Sequence, residues 1–345
     1  MARPKRGGGA PSILDVAAAA GVSHQTVSRV LNGSANVLPE TRERVRVAIA
    51  ELGYRRNSVA RALARRKSET IGVITTTSLD YGPSSILMEI ELAARASGYY
   101  TVVAPVEDYD DASIEEALDH FLGLPVEGLV VIAPLRDVAA DMSKKAIPVP
   151  VVAVTTQALA DEAGVVPVAI DQERGARLAL EHLYGLGHRD IAHIAGESKF
   201  FEARARERAW RDFMAEKGLP IREPGERGWE FRVGYEEGRR FLAEGLPTAV
   251  FCANDQIALG LYRALEEVGR TVPGDVSIVG FDDMPASAYY SPALTTINQD
   301  FANLGRLVLE TLLEEIGEAQ RGLKVRRALP PTLVIRDSTA PAPSR

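Results

Sequence analysis

Ser12-Ile13-Leu14-Asp15-Val16-Ala17-Ala18-Ala19-Ala20-Gly21-Val22-Ser23-His24-Gln25-Thr26-Val27-Ser28-Arg29-Val30-Leu31-Asn32-Gly33 is the stretch whose reading decides the fold. Ser12 to Asp15 fits a capping box, in which the hydroxyl accepts from a free helical N–H and the carboxylate reaches back. The Ala-rich run from Ile13 to Ala20 favours helix, and Gly21 stops it because glycine takes the left-handed conformation cheaply. Ser23 caps a second short helix that ends at Asn32-Gly33. Val22, Val27, Val30 and Leu31 can face the first helix, which leaves His24, Gln25, Ser28 and Arg29 outward. A third helix follows from Pro39, with Val45, Ile49 and Leu52 inward and Gly53 closing it. This is a helix-turn-helix, whose second helix reads base edges from the major groove. Gln pairs with adenine and Arg with guanine O6 and N7.

Charge supports a DNA-facing head. Residues 1–68 hold 13 Lys and Arg against 4 acids, a net of +9, so the remainder of this −7 chain carries −16. A basic end on an acidic body points to one polyanion bound at that end. The composition, 46% apolar and 25% charged, is that of a globular protein. No apolar run approaches the ~20 residues of a membrane span. Gly7-Gly8-Gly9 stands where a secretory signal would need its apolar core. With one cysteine, Cys252, a disulfide framework is excluded. A cytoplasmic location is expected.

Asp15-Val16-Ala17, Ala20-Gly21-Val22-Ser23, Thr26 to Asn32, Thr41-Arg42-Glu43-Arg44-Val45, Leu52-Gly53-Tyr54, Asn57 and Ala60-Arg61-Ala62-Leu63 together resemble the lactose-repressor (LacI) family of transcription regulators. The resemblance implies that His24, Gln25 and Arg29 read bases, while Ser28, Asn32, Thr41, Tyr54 and Asn57 support or contact the DNA backbone. It also implies a hinge helix at 57–67, with a linker to 69. There Ala60 and Leu63 meet DNA, with Leu63 wedged into the minor groove, exchanging unstacking energy for bent DNA. Leu38 departs from the family pattern, which commonly has a hydroxyl N-cap; Pro39 at the first helical position compensates.

Beyond the head, short β-rich runs alternate with helical stretches. One set is Ile71–Thr76, Tyr100–Ala104, Leu129–Ala133 and Val151–Val154; the second is Val165–Ile170, Ile191–Ala195, Ala249–Cys252 and Val276–Phe281. Such alternation predicts parallel sheets covered by helices on both faces. The expected fold is therefore a small all-α helix-turn-helix head on an α/β core of two doubly wound parallel-sheet lobes. The expected division is a disordered basic tail (1–10), the head (11–56), the hinge (57–69), a two-lobed core (70–336) and a flexible tail (337–345). That last segment has no heptads, so a coiled-coil tetramer is not expected.

In open parallel sheets, ligands sit beyond the carboxyl ends of strands. Asn254 and Asp282 stand at two such ends, and Arg206 is read as lying just before the helix that carries Trp210. With Trp229 as an apolar face, they suit the hydroxyls of a neutral sugar. The core resembles the family's periplasmic-binding-protein-like domain through His182-Leu183, Leu186-Gly187-His188-Arg189, Asn254-Asp255-Gln256, Gly280 to Asp283, Leu294 to Ile297 and Leu333 to Arg336. That resemblance implies effector contacts at Arg206, Trp229, Asn254, Asp282 and Gln299, and a wall of Thr76, Tyr81-Gly82-Pro83, Ile86 and Phe301. Thr155 stands where sugar-binding members often carry an acid, which leaves the sugar open.

Other signals are weak. Gly185-Leu186-Gly187-His188 precedes a strand instead of opening a helix, so it is a helix-ending turn and not a dinucleotide loop. No nucleophile elbow, P-loop or H-E-x-x-H occurs. His182, His188 and His193 lack a metal-ligand pattern, and no cofactor is expected. The expectation is a homodimer on a pseudo-palindromic double-stranded operator, controlled by a small sugar (a glycoside, with a galactoside one candidate). Open alternatives are a sugar-binding or sugar-processing protein without DNA function, a purine effector, and activation in place of repression.

Overall fold

The computed structural model describes residues 11–34, 36–54, 67–76, 80–106, 111–132, 147–155, 165–317 and 327–343. The expected basic tail 1–10 and hinge residues 57–66, with Asn57, Ala60 and Leu63, lie outside them. The chain forms two compact units, Met1–Ser68 and Glu69–Arg345.

In the first unit, α1 (Ile13–Ala20), α2 (His24–Leu31) and α3 (Pro39–Leu52) surround Val16, Ala17, Ala20, Val27, Val45 and Ala48. Each helix begins and ends for a local reason. Ser12 Oγ accepts from Asp15 N while Asp15 Oδ2 accepts from Ser12 N at 2.7 Å, completing the capping box. Ser23 Oγ accepts from Thr26 N at 3.2 Å to start α2. Gly21 and Gly53 close α1 and α3 at φ 63° and 60°, a conformation that favours glycine. Leu38 supplies no side-chain cap, as its apolar side chain requires, and Pro39 occupies the first turn. One expectation fails: Leu52 is 36% exposed, because the 14-residue α3 outruns the 8-residue α1 it packs against.

The second unit contains two sheets. The first has the order β10 (Arg327–Leu329), β5 (Val166–Ile170), β4 (Val151–Val154), β3 (Gly128–Ile132), β1 (Thr70–Thr76), β2 (Tyr100–Val106), all parallel. The second runs β11 (Thr332–Val334), β9 (Thr295–Asn298), β8 (Ser277–Asp282), β7 (Ala249–Cys252), β6 (Ile191–Ile194), with β11 alone antiparallel. Strands buried on both faces need continuous apolar runs, which Gly128-Leu-Val-Val-Ile132 and Ala249-Val-Phe-Cys252 supply. In the first sheet, α5 (Asp111–Leu122) covers one face, and α4 (Tyr81–Ala96) with α10 (Phe301–Gly317) the other. In the second, α6 (Gln172–Gly185) and α7 (Phe201–Glu216) oppose α8 (Phe231–Glu244) and α9 (Asp255–Glu266).

Two expectations change. The strand at 165–170, read as opening the second set, pairs in parallel with β4 and so belongs to the first sheet. The chain then crosses between sheets three times, at 170–172, 298–301 and 329–332. Strand propensity is local, whereas sheet membership depends on which neighbour the crossover reaches, so sequence alone could not place this strand. The expected flexible tail is also ordered through residue 343. Ser338 is fully buried, its Oγ donating to Ile278 O at 2.6 Å and accepting from Thr295 N at 2.7 Å. Ala342 N donates to Leu186 O at 2.8 Å. The Pro/Ala/Ser composition hides these backbone-directed bonds. No helix among the described residues is long and apolar enough to cross a membrane.

Candidate functional site

On the first unit, Val27 is fully buried on the inner face of α2, which turns His24, Gln25 and Arg29 to solvent. Ser28 is half-buried and accepts from Asn32 Nδ2 at 3.4 Å. Arg42 donates to Ser34 O at 3.0 Å, tying α3 to the loop that leaves α2. Thr41 is half-buried, and Tyr54 packs against the head's core. The outward set is therefore a short polar helix face held rigidly by three caps and an apolar core.

In the second unit, a cavity of about 90 Å³ opens at the carboxyl ends of strands from both sheets. All nine predicted effector residues line it: Thr76, Tyr81, Ile86, Arg206, Trp229, Asn254, Asp282, Gln299 and Phe301. Gly82 and Pro83 line it too, whereas buried Thr155 does not. One side is apolar, with Ile86, Ile132, Val154 and Leu304, and with Tyr81 meeting Phe301 edge-on at 5.8 Å. The other side is polar. Arg206 is fully buried, donating from Nε to Gln172 Oε1 at 2.9 Å and from a terminal nitrogen to Ala253 O. Its guanidinium lies 3.7 Å over the Phe281 ring and 3.9 Å from Asp282.

Asp282 ends β8 at φ 110°, a backbone state costly for a non-glycine residue, and this aims its carboxylate inward. It accepts from Gln299 Nε2 at 2.5 Å, and Gln299 Oε1 accepts from Gln172 Nε2 at 2.8 Å, closing a buried polar ring. Burial pushes the Asp282 carboxyl up to about 7 despite Arg206. Trp229 rests against Gly196, where an added Cβ would meet the indole at 2.5 Å. Phe200 meets the same indole edge-on, 5.9 Å away at 66°.

Sequence reasoning missed Gln172, Glu202, Asp80 and Phe200 on the cavity wall. The signal for Glu202 was present, since it stands four residues before Arg206 and so shares its helix face. Gln172 opens the helix directly after β5, a position visible only once the crossover is known. Arg204 and Arg208 are exposed, Trp210 and Cys252 are fully buried, and Leu186-Gly187 ends α6. His193 Nδ1 donates to Phe251 O at 2.8 Å, and His188 lies within bonding distance of Ser277 Oγ. No metal-holding cluster occurs among the described residues.

Comparison with known proteins agrees with this arrangement. Residues 12–57 match the bacterial regulatory proteins of the lacI family, and residues 180–339 match the periplasmic binding protein-like domain. The lactose operon repressor of Escherichia coli (strain K12) is 38% identical over 335 residues, covering 95% of this chain and 90% of its own length. The transcriptional repressor PurR of Haemophilus influenzae (strain PittEE) is 35% identical over 333 residues, covering 95% and 98%. A crystal structure of the lac repressor dimer bound to operator and the anti-inducer ONPF superposes with a TM-score of 0.87 at 37% identity, covering 96% of this chain and 99% of that one. The chain belongs to the lacI family of bacterial regulatory proteins, and is a helix-turn-helix, DNA-binding transcription repressor and not an enzyme.

Proposed function

We propose that this repressor works as a cytoplasmic homodimer on a pseudo-palindromic operator and is released by a neutral sugar bound in the core cavity. The observation that carries the sugar is the cavity's two-sided lining: Arg206, Asp282 and Glu202 with the Trp229 indole at one end, aliphatic side chains at the other. Hydroxyl groups need such donors and acceptors, and an indole face suits the C–H face of a pyranose. One recognition helix reads only a few base pairs, so a two-fold dimer on two half-sites supplies the length of the operator. The lac repressor, crystallised as a dimer on operator, supports this assembly.

A purine is the second reading, because PurR relatives are 35% identical. The geometry favours it less, since the aromatic ring beside Trp229, Phe200, stands at 66° to the indole and not parallel to it, so the two do not form a sandwich for a base. Release requires that the effector bind the DNA-free arrangement better, and coupling of ~1–3 kcal/mol gives about 5–150-fold weaker operator binding. The test is a thermal-shift screen of neutral glycosides, pentoses and purine bases, followed by operator titration with each hit. A glycoside that raises the melting temperature and weakens operator binding supports the reading. Stabilisation by hypoxanthine or guanine alone overturns it.

A further inference from the structure

Most polar side chains on the cavity wall are already committed to the fold. Asn254 Oδ1 accepts from Ile257 N at 2.8 Å as the N-cap of α9, and its Nδ2 donates to Trp229 O at 3.0 Å. Gln299 uses its oxygen on Gln172 and its nitrogen on Asp282. Arg206 uses Nε on Gln172 and a terminal nitrogen on Ala253 O. These groups position one another, and each would have to give up a bond to hold a ligand through the same atom.

Glu202 is different. It sits on the first turn of α7, one turn before Arg206, and faces the cavity. Its carboxyl meets only its own backbone amide, and no hydrogen bond or ion pair joins it to another described residue. Glu202 is half-buried, and a carboxyl drawn partly out of water with no side-chain partner keeps its acceptor capacity for a ligand. Burial pushes it up to about 7, with the charges of Arg206 and Arg204 opposing only weakly. Among the described residues, the wall's carboxyls, Asp80, Glu202 and Asp282, outnumber its guanidinium groups, of which Arg206 already faces Asp282.

We infer that Glu202 is the specificity-determining residue of the cavity: its carboxyl accepts hydroxyl hydrogens from a neutral saccharide and rejects anionic sugars. The inference rests on the reading that a sugar occupies this cavity, and goes further in naming the contact and the charge class. A carboxylate offers two oxygens at the spacing of a vicinal diol, whereas a uronate or sugar phosphate would bring a second anion beside it, with Arg206 the cation among the described wall residues and already turned to Asp282.

Calorimetry on the full-length protein tests this. The probes are methyl β-D-galactoside, methyl β-D-glucoside and cellobiose, with monodeoxy derivatives of the best binder and its uronate. Wild type should lose about tenfold to a hundredfold when the deoxy position removes the hydroxyl that Glu202 accepts, the range for a hydrogen bond to a charged group. Glu202→Ala should bind parent and deoxy sugar alike, and Glu202→Gln should close at least tenfold of the gap between parent and uronate. If a neutral sugar binds but both variants keep the wild-type pattern across deoxy sugars and uronate, the role of Glu202 is refuted while the sugar site stands. If no neutral saccharide binds wild type, the sugar reading falls and this inference with it. Melting curves of both variants confirm folding; Glu202→Gln removes the charge and keeps the shape.

Discussion

Gln172 Nε2 donates to Gln299 Oε1 across 2.8 Å, joining the first crossing between the two sheets to the second. Because Gln172 Oε1 also accepts from Arg206 and Gln299 also donates to Asp282, this bond ties the cavity's polar wall to two of the crossings between the sheets. Gln172→Ala should strand Arg206 Nε and Gln299 Oε1, each buried. An unsatisfied buried group costs ~1–3 kcal/mol, so the variant should lose about 2 kcal/mol or more in urea unfolding at unchanged m. A loss below ~0.5 kcal/mol would show that the ring does not hold the crossings together.

Arg29 lies exposed on α2, two positions after buried Val27. On the proposed operator, Arg29→Ala should remove ~1–3 kcal/mol of base discrimination while leaving random-sequence binding nearly unchanged. Competition titrations against operator and scrambled duplex at one salt concentration measure both. Equal losses on the two duplexes would reassign Arg29 to phosphate contact, whose mark is a salt slope reduced by about one.

Helices α8 and α9 approach backbone to backbone. A Cβ on Gly234 would lie 1.9 Å from Ile257 O, and one on Gly260 1.8 Å from Phe231 O. Alanine would return ~1 kcal/mol of helix propensity, but no side-chain rotation relieves a backbone clash. Gly234→Ala should therefore destabilise by ~2–3 kcal/mol net, read as a lowered melting temperature, and a stabilised variant would refute the close approach.

The pH dependence of Glu202→Gln isolates one carboxyl. Folded Glu202 titrates at about 7 against 4.5 as its ordinary value. Between those values the native chain holds a proton that the unfolded chain releases, so wild-type stability falls as pH rises through this window. Glutamine does not titrate. The variant should gain on wild type from pH 5 to pH 8, by about 1 kcal/mol once partial solvent exposure is counted. A difference independent of pH would mean that the carboxyl stays solvated.

Deleting residues 337–345 should strand Thr295 N and Ile278 N, which Ser338 Oγ and Ser338 O now satisfy. The core should lose at least ~2 kcal/mol in denaturant unfolding. Ser338→Ala should reproduce part of that loss, since it keeps the backbone bond and removes only the hydroxyl.

The head was legible in the sequence because its determinants are local: Ser12, Ser23, Gly21 and Gly53 act within four residues of themselves, and Val27 needs only a helix to face inward. The alternation of strands and helices was equally plain, and the family resemblance named nine residues that line the cavity before any geometry was available. Tertiary structure decided what depends on distant partners. It placed β5 in the first sheet, turned the tail into a buried clasp through Ser338, and committed Asn254 and Gln299 to the fold. It also left Glu202 open. A side chain's type is written in the sequence, but whether its hydrogen-bonding capacity is already used depends on atoms brought to it from more than a hundred residues away, as Gln299 is to Gln172.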